Sequence, residues 1–161
     1  FGGWTRPRVD GVIAMPEPKN GESCRVETLL DSNLESVERA EEAVLECANR
    51  AGFDEDDLHR LSVAVRESMV NAVVHGNRYN ANKKVHLSVA VEDGRLTIVV
   101  CDEGDGFDAS RLPDPLAEEN LMRQSGRGIL LMQAFVDEFE IRPGNGCGTE
   151  VRMVKKLPAR P

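Results

Sequence analysis

The stretch Glu67-Ser-Met-Val-Asn71-Ala-Val-Val-His75-Gly-Asn77 decides how this chain is read, because it sets a carboxylate and a carboxamide one helical turn apart within an otherwise apolar run. With Leu58 to His75 as one helix, Leu58, Leu61, Val65, Met69 and Ala72 share a face at the spacing of a core stripe. Val63, Ala64, Val70 and Val74 share another. A helix that is apolar on two faces is sandwiched between layers, so Glu67 and Asn71, neighbours at i and i+4, point into a cleft. A buried carboxylate without a partner is costly, and a metal, a ligand or an ion pair must compensate it. The plainer alternative is an amphipathic helix with a structural Glu–Arg contact, and this segment by itself leaves both open.

On the N-terminal side, Cys24 to Leu30 reads as a short strand, and Ser32 or Asn33 can cap a helix that runs to about Ala51 and stops at Gly52. Residues 1–22 carry Gly2, Gly3, Pro7, Gly11, Pro16, Pro18 and Gly21 with little periodicity, and are expected to form an extension outside a domain spanning 23–157. On the C-terminal side, Gly76-Asn77 and the polar run to Lys84 end the helix. Val85 to Val91, a turn at Asp93-Gly94, and Leu96 to Cys101 then read as a β-hairpin. Residues 108–125 include Pro113 and Pro115, follow no period, and are expected to form a long functional loop. A short helix is expected near Gly128, carrying Ile129 to Met132 and Phe135. Val136 to Arg142 and Thr149 to Lys155 make a second hairpin. Hairpins combined with helices predict an α+β fold with the helices on one face of the sheet.

The 161 residues suit one domain, and 40% apolar with 30% charged residues is the balance of a globular protein. No apolar run approaches the roughly 18 residues of a membrane helix, so no membrane partner is expected and the location is expected to be cytoplasmic. The net charge of −8 opposes general affinity for nucleic acid. It also means that any bound polyphosphate needs a divalent cation and local donors, such as backbone N–H groups, an arginine or a helix N-terminus. Cys24, Cys47, Cys101 and Cys147 are widely spread, with no Cys-x-x-Cys pair and no histidines at zinc spacing. Neither a zinc site nor a disulfide framework is suggested, and reduced, mostly buried thiols are expected.

Asp102-Glu-Gly104-Asp-Gly106-Phe-Asp108 directly follows an apolar strand. It fails as a calcium loop, because glycines stand where the third and fifth ligands belong. As a dinucleotide fingerprint, Gly104-x-Gly106-x-x-Ala109 has the right spacing, yet the surrounding carboxylates would repel a pyrophosphate. What remains is a plain acidic turn, or a site in which Asp102 accepts a hydrogen bond from an exocyclic amine such as that of adenine. In the second case Gly104 and Gly106 would let the backbone approach the flat base. Ser125-Gly126-Arg127-Gly128 can serve as a hinge and an anion site at a helix start, or as a capping turn with a solvated arginine. Gly148-Thr149 is most simply a hairpin exit, and no P-loop pattern occurs.

Taken in order, Glu67-x-x-x-Asn71, Asp102-x-Gly104-x-Gly106, Gly126-x-Gly128 and Gly148-Thr149 resemble the four boxes of the gyrase, Hsp90, histidine-kinase and MutL-type ATPase superfamily. The resemblance spans roughly residues 24–156. It implies a two-layer α/β sandwich of the Bergerat ATP-binding type, with a left-handed crossover and a mixed, mainly antiparallel sheet under helices on one face. ATP would lie between the helices and a mobile lid formed by 108–125. By the same resemblance Asn71 holds Mg²⁺, Asp102 binds adenine beside Gly104 and Gly106, and Ser125, Gly126, Arg127 and Gly128 bind the nucleotide. Thr149 supports Asp102 or a water at the base.

Within the superfamily, Asn71-Ala-Val-Val-His75-Gly-Asn77, Asp-x-Gly-x-Gly-Phe-Asp108 and Gly-Arg-Gly-Ile-Leu-Leu-Met132 resemble the bacterial anti-sigma-factor serine/threonine kinases. Histidine kinases usually carry an Asn where Glu67 stands. The resemblance implies transfer of the γ-phosphoryl group of ATP to a serine of an antagonist protein, regulation of a sigma factor, and a homodimer. Glu67 would then be the base that takes the serine proton, and Arg127 would stabilise phosphoryl oxygens. The same pocket would also serve an ATPase that activates water, or a nucleotide-bound module that sequesters a partner with little turnover.

Overall fold

The computed structural model describes residues 24–104, 124–144 and 147–158. The expected extension at 1–22, Gly106, and residues 108–123 of the expected lid lie outside this range. In chain order the elements are β1 (Cys24–Asp31), α1 (Glu35–Ala51), α2 (Glu55–Val70) with a π-helical continuation (Asn71–Gly76), β2 (Lys84–Glu92), β3 (Arg95–Cys101), α3 (Gln124–Phe135), β4 (Glu138–Pro143) and β5 (Thr149–Lys156).

The strands form one sheet in the order β1-β2-β3-β5-β4. Every ladder is antiparallel, so among the described strands the sheet is uniform and lacks the parallel pair that a mixed sheet would contain. Side chains alternate across a strand. One sheet face therefore collects Val26 and Leu30 of β1, Val85, Leu87, Val89 and Val91 of β2, Leu96, Ile98 and Val100 of β3, and Val151 and Met153 of β5, all buried. Val37, Ala40, Val44 and Cys47 of α1 and Leu61, Val65 and Met69 of α2 join the same cluster from above, as the α+β expectation requires. β4 is the thin edge. Glu138, Glu140 and Arg142 keep it exposed and charged, which protects an unpaired strand edge.

The helix ends follow from side-chain chemistry. Asn33 Oδ1 accepts the Ser36 N–H at 3.0 Å to start α1, and Gly52 at φ 93° ends it in the left-handed region. Asp54 caps α2 by accepting the Asp57 N–H at 2.8 Å, so this helix begins three residues before the expected Leu58. Its last turn, Asn71–Gly76, widens to π geometry instead of continuing as regular α-helix. Such widened turns recur at functional sites.

The cysteines correct the expectation of reduced thiols. Cys24 of β1 is bonded to Cys47 of α1, and Cys101 at the end of β3 to Cys147, with Cα–Cα distances of 5.6 and 6.3 Å. The partners stand 23 and 46 residues apart in sequence. They meet because α1 folds back over β1, and because the turn before β5 lies beside the end of β3. Local spacing carries no sign of either approach. Among the described residues no helix is long and apolar enough to cross a membrane.

Candidate nucleotide-binding site

A cavity of about 270 Å³ opens where α2 and its π turn, the facing ends of β3 and β5, and α3 converge. Ala72, Val100, Ile129 and Val151 give it apolar walls, and Asn71, Asp102 and Thr149 supply polar groups. Apolar walls with a few placed polar groups are the usual make-up of a small-molecule site.

Asp102 is the first residue past β3 and is only 5% exposed. Its Oδ1 accepts the N–H groups of Gly104 and Thr149, each at 3.0 Å. Its own N–H donates to the Thr149 carbonyl at 3.1 Å, and its carbonyl accepts the Gly148 N–H at 2.7 Å. Burial pushes the carboxyl above the usual aspartate range, and the Thr149 and Gly104 N–H groups and the charge of Lys83 offset this only in part. Three glycines make such close packing possible. A Cβ on Gly76 would collide with the Asp102 carboxylate, one on Gly104 with the Gly76 carbonyl, and one on Gly148 with Asp102 Oδ1 and with the backbone of Gly104. Among the described residues Oδ2 receives no hydrogen bond, so it is left for a donor that enters the cavity.

Glu67 and Asn71 stand on successive turns of α2 and its continuation, and both are half-buried. Neither has an ion-pair or hydrogen-bond partner among the described residues, and the arginine beside Glu67, Arg66, is taken by Glu41. The structural Glu–Arg alternative is therefore not realised within these residues. α3 packs on α2 directly over this pair. A Cβ at Gly128 would come within 2.6 Å of Glu67 Oε2 and 3.8 Å of Asn71 Nδ2, so any larger residue there would have to push the Glu67 carboxylate aside.

The third box differs from expectation in one respect. α3 begins at Gln124, so Ser125, Gly126 and Arg127 form its first turn and do not precede it as a hinge. Packing against α2 carries the helix through the two glycines despite their low helix propensity. The first N–H groups of a helix lack intrahelical acceptors, and here they belong to this turn. Thr149 reaches Asp102 through its N–H and lines the cavity.

Four participants escaped the sequence reading. Gly76 signalled only a helix end, yet it lets Asp102 approach. Ser68 and Arg78 line the cavity. Asn77, 2% exposed, accepts the Glu103 N–H at 2.7 Å and donates to Ser32 Oγ at 2.9 Å and the Lys84 carbonyl at 3.0 Å. Glu103 in turn accepts the Lys84 N–H at 2.8 Å and meets His86 Nε2 at 2.7 Å. Burial raises the Glu103 pKa, but the His86 hydrogen bond, the Lys84 N–H and the charges of both residues outweigh it and leave a net lowering. This latch fixes the strand end that presents Asp102. Its partners are spread along the sequence from Ser32 to Glu103, so no local pattern announces it.

The chain matches known proteins over most of its length. A family model described as "Histidine kinase-like ATPase domain" matches residues 30–155. The serine-protein kinase RsbW of Bacillus subtilis is 33% identical over 116 residues, a span covering 68% of this chain and 71% of the relative. The anti-sigma F factor of Bacillus subtilis is 33% identical over 104 residues, covering 63% of this chain and 71% of the relative. Among solved structures, the RsbU and RsbW domains of Rv1364c from Mycobacterium tuberculosis align with a TM-score of 0.60 and 21% identity, which shows a shared fold. That alignment covers 84% of this chain and 34% of the other, so the present chain spans about a third of its length. With the family match running from the end of β1 through β5 and across the whole cavity, the chain belongs to the histidine kinase-like ATPase domain family.

Proposed function

We propose that this protein is an ATP-dependent serine protein kinase of the anti-sigma-factor type, which phosphorylates a serine of an antagonist protein and so regulates a sigma factor. The observation that carries this reading is the pairing of an unpartnered Glu67 with Asn71 beside a cavity lined by the buried Asp102, whose Oδ2 accepts no hydrogen bond among the described residues. A carboxylate with a free acceptor oxygen suits the exocyclic amine of adenine. Gly104 and Thr149 complete the base end, and the sequence spacing assigns Gly106 to the same role. The names of the relatives, a serine-protein kinase and an anti-sigma F factor, support the choice of acceptor and partner. A kinase that acts on such partners works in the cytoplasm.

Serine is a weak nucleophile at neutral pH, and transfer gains from a base aligned to accept its proton. Glu67 takes that role. It stands on α2 facing Gly128, and no cation among the described residues pairs with it. Among the described residues no group of three His, Cys, Asp or Glu could hold a metal. A Mg²⁺ that arrives with ATP fits this arrangement, since it keeps several waters and phosphate oxygens and needs few protein ligands. Asn71 would hold it through a neutral amide oxygen, and the ion would neutralise phosphate charge on an acidic protein. Ser125, Gly126, Arg127 and Gly128 supply backbone N–H groups and a guanidinium for the phosphoryl oxygens.

Labelled-ATP transfer onto a candidate antagonist, measured beside phosphate release, tests the reading. The native chain should label the antagonist at a serine. Glu67→Gln should bind ATP normally and lose transfer by about 100-fold or more. Phosphate release without labelling would show an ATPase, and binding without either product a sequestering module. Undiminished transfer by the Gln variant would reject Glu67 as base.

A further inference from the structure

Ser68 follows Glu67 in α2 and, unlike Glu67, lines the cavity. Ser68, Ala72 and Gly76 lie one turn apart and form the strip of this element that lines the cavity beside Asp102. Ser68 is 1% exposed, and its Oγ is the one buried side-chain nitrogen or oxygen among the described residues without a hydrogen-bond partner. A serine inside a helix ordinarily donates to the carbonyl one turn back, which here would be Ala64. Ser68 does not. Other serines are satisfied: Ser32 donates to the Lys83 carbonyl at 2.5 Å, Ser36 to Asn33 at 3.1 Å, and Ser62 to Glu41 at 3.0 Å. An unpaired hydroxyl in a buried wall is costly unless something that binds there completes it.

The neighbouring polar group indicates what that ligand offers. Asp102 is an acceptor with its Oδ2 unbonded, and a serine hydroxyl is a donor. A heteroaromatic ring that carries an amine and ring nitrogens presents a donor and acceptors on one flat edge, between walls as apolar as Ala72, Val100, Ile129 and Val151. We propose that Ser68 is a base-reading contact of the nucleotide site: its hydroxyl donates to a ring nitrogen of adenine, directly or across one water, while Asp102 accepts from the amine. This deepens the ATP-binding reading above and rests on it.

Removing the hydroxyl separates binding from folding. Ser68→Ala takes an unsatisfied polar group out of the wall and substitutes the best helix former, so the unliganded variant should unfold at the same temperature as the native chain or higher. Its affinity for ATP should nevertheless fall about 3- to 10-fold, the loss of one neutral hydrogen bond. Calorimetry with 1-deaza-, 3-deaza- and 7-deaza-ATP then identifies the nitrogen. One of the three should bind the native chain with the same loss, and should lose nothing further on the Ala variant. A lowered unfolding temperature of the unliganded variant, unchanged ATP affinity, or additive losses with all three analogues would overturn the proposal. If the native chain binds no ATP, the functional reading itself fails, a result distinct from each of these.

Discussion

At Asp102 a carboxylate is buried against three glycine-bearing backbone segments, and burial holds its pKa above the ordinary value despite two N–H donors. An acid whose folded pKa is raised favours folding below its unfolded pKa, and that contribution is lost as pH rises through the folded value. Ionising this group in the unliganded protein therefore carries a cost, and an amine donor that meets Oδ2 offsets it. Affinity for adenosine, which lacks phosphates that titrate, should fall as pH drops through the raised Asp102 pKa, starting above the usual aspartate range. Asp102→Asn replaces an ionised acceptor by a neutral amide, and should weaken adenosine binding at neutral pH about tenfold or more, because hydrogen bonds to charged groups are the stronger kind. Calorimetric titration across pH checks both. Equal pH dependence in the Asn variant would remove Asp102 from the base end. Arg78, which lines the same cavity, and its neighbour Tyr79 both hold positive φ, 51° and 59°, where non-glycine residues pay a steric cost.

Among the elements, the connection from the π turn into β2 and the end of β3 is held by Asn77, which bonds to Ser32, Lys84 and Glu103 at once. Asn77→Ala leaves a part-buried N–H and carbonyl without this partner, and should destabilise the fold by ~1–3 kcal/mol in denaturant unfolding. Glu103 belongs to the same latch and has a depressed pKa, so its stabilisation is present above its unfolded pKa and lost as pH falls through the folded value. The Cys101–Cys147 bridge ties the strand end that bears Asp102 to the turn that supplies the Gly148 and Thr149 N–H groups. A dithiol reductant, which opens Cys24–Cys47 as well, should therefore weaken ATP binding. Cys147→Ser should show the weaker affinity at the outset and no response to the reductant. An affinity indifferent to reduction in the native chain would disconnect the bridge from the site.

Over the whole molecule, legibility in sequence tracked the range of the interaction. Period-2 apolar runs in β2, β3 and β5, the Asn33 cap and the Gly52 stop are local signals, and both hairpins and the helical face follow from them. Glu67, Asn71, Asp102 and Gly128 were visible because each box is a short pattern. Asn77 and the two disulfides were not, since their partners lie 26 residues away for Glu103 and 23 and 46 for the cysteines, and only packing brings them together. α3 starts ahead of the expected Gly128: the glycines of its first turn argue locally against helix, while contact with α2 favours it. Net charge is the property of the entire chain that bears on function. At −8, the protein repels a nucleoside triphosphate at long range, and the Glu67 and Asp102 carboxylates repel it within the site. Two arginines, Arg78 and Arg127, and a few N–H groups fall short of neutralising a triphosphate against that field, so on the proposed reading a divalent cation should contribute more to ATP binding than the base contacts do. Chelation with EDTA should lower ATP affinity about tenfold or more and abolish labelled transfer. Adenosine, which carries no phosphate, should bind the chelated protein as well as before. Added Mg²⁺ should restore ATP binding, and Asn71→Ala should blunt that restoration while leaving adenosine affinity intact. Equal ATP affinity with and without chelator would mean that the chain's own donors suffice, and would remove the metal from the proposed role of Asn71.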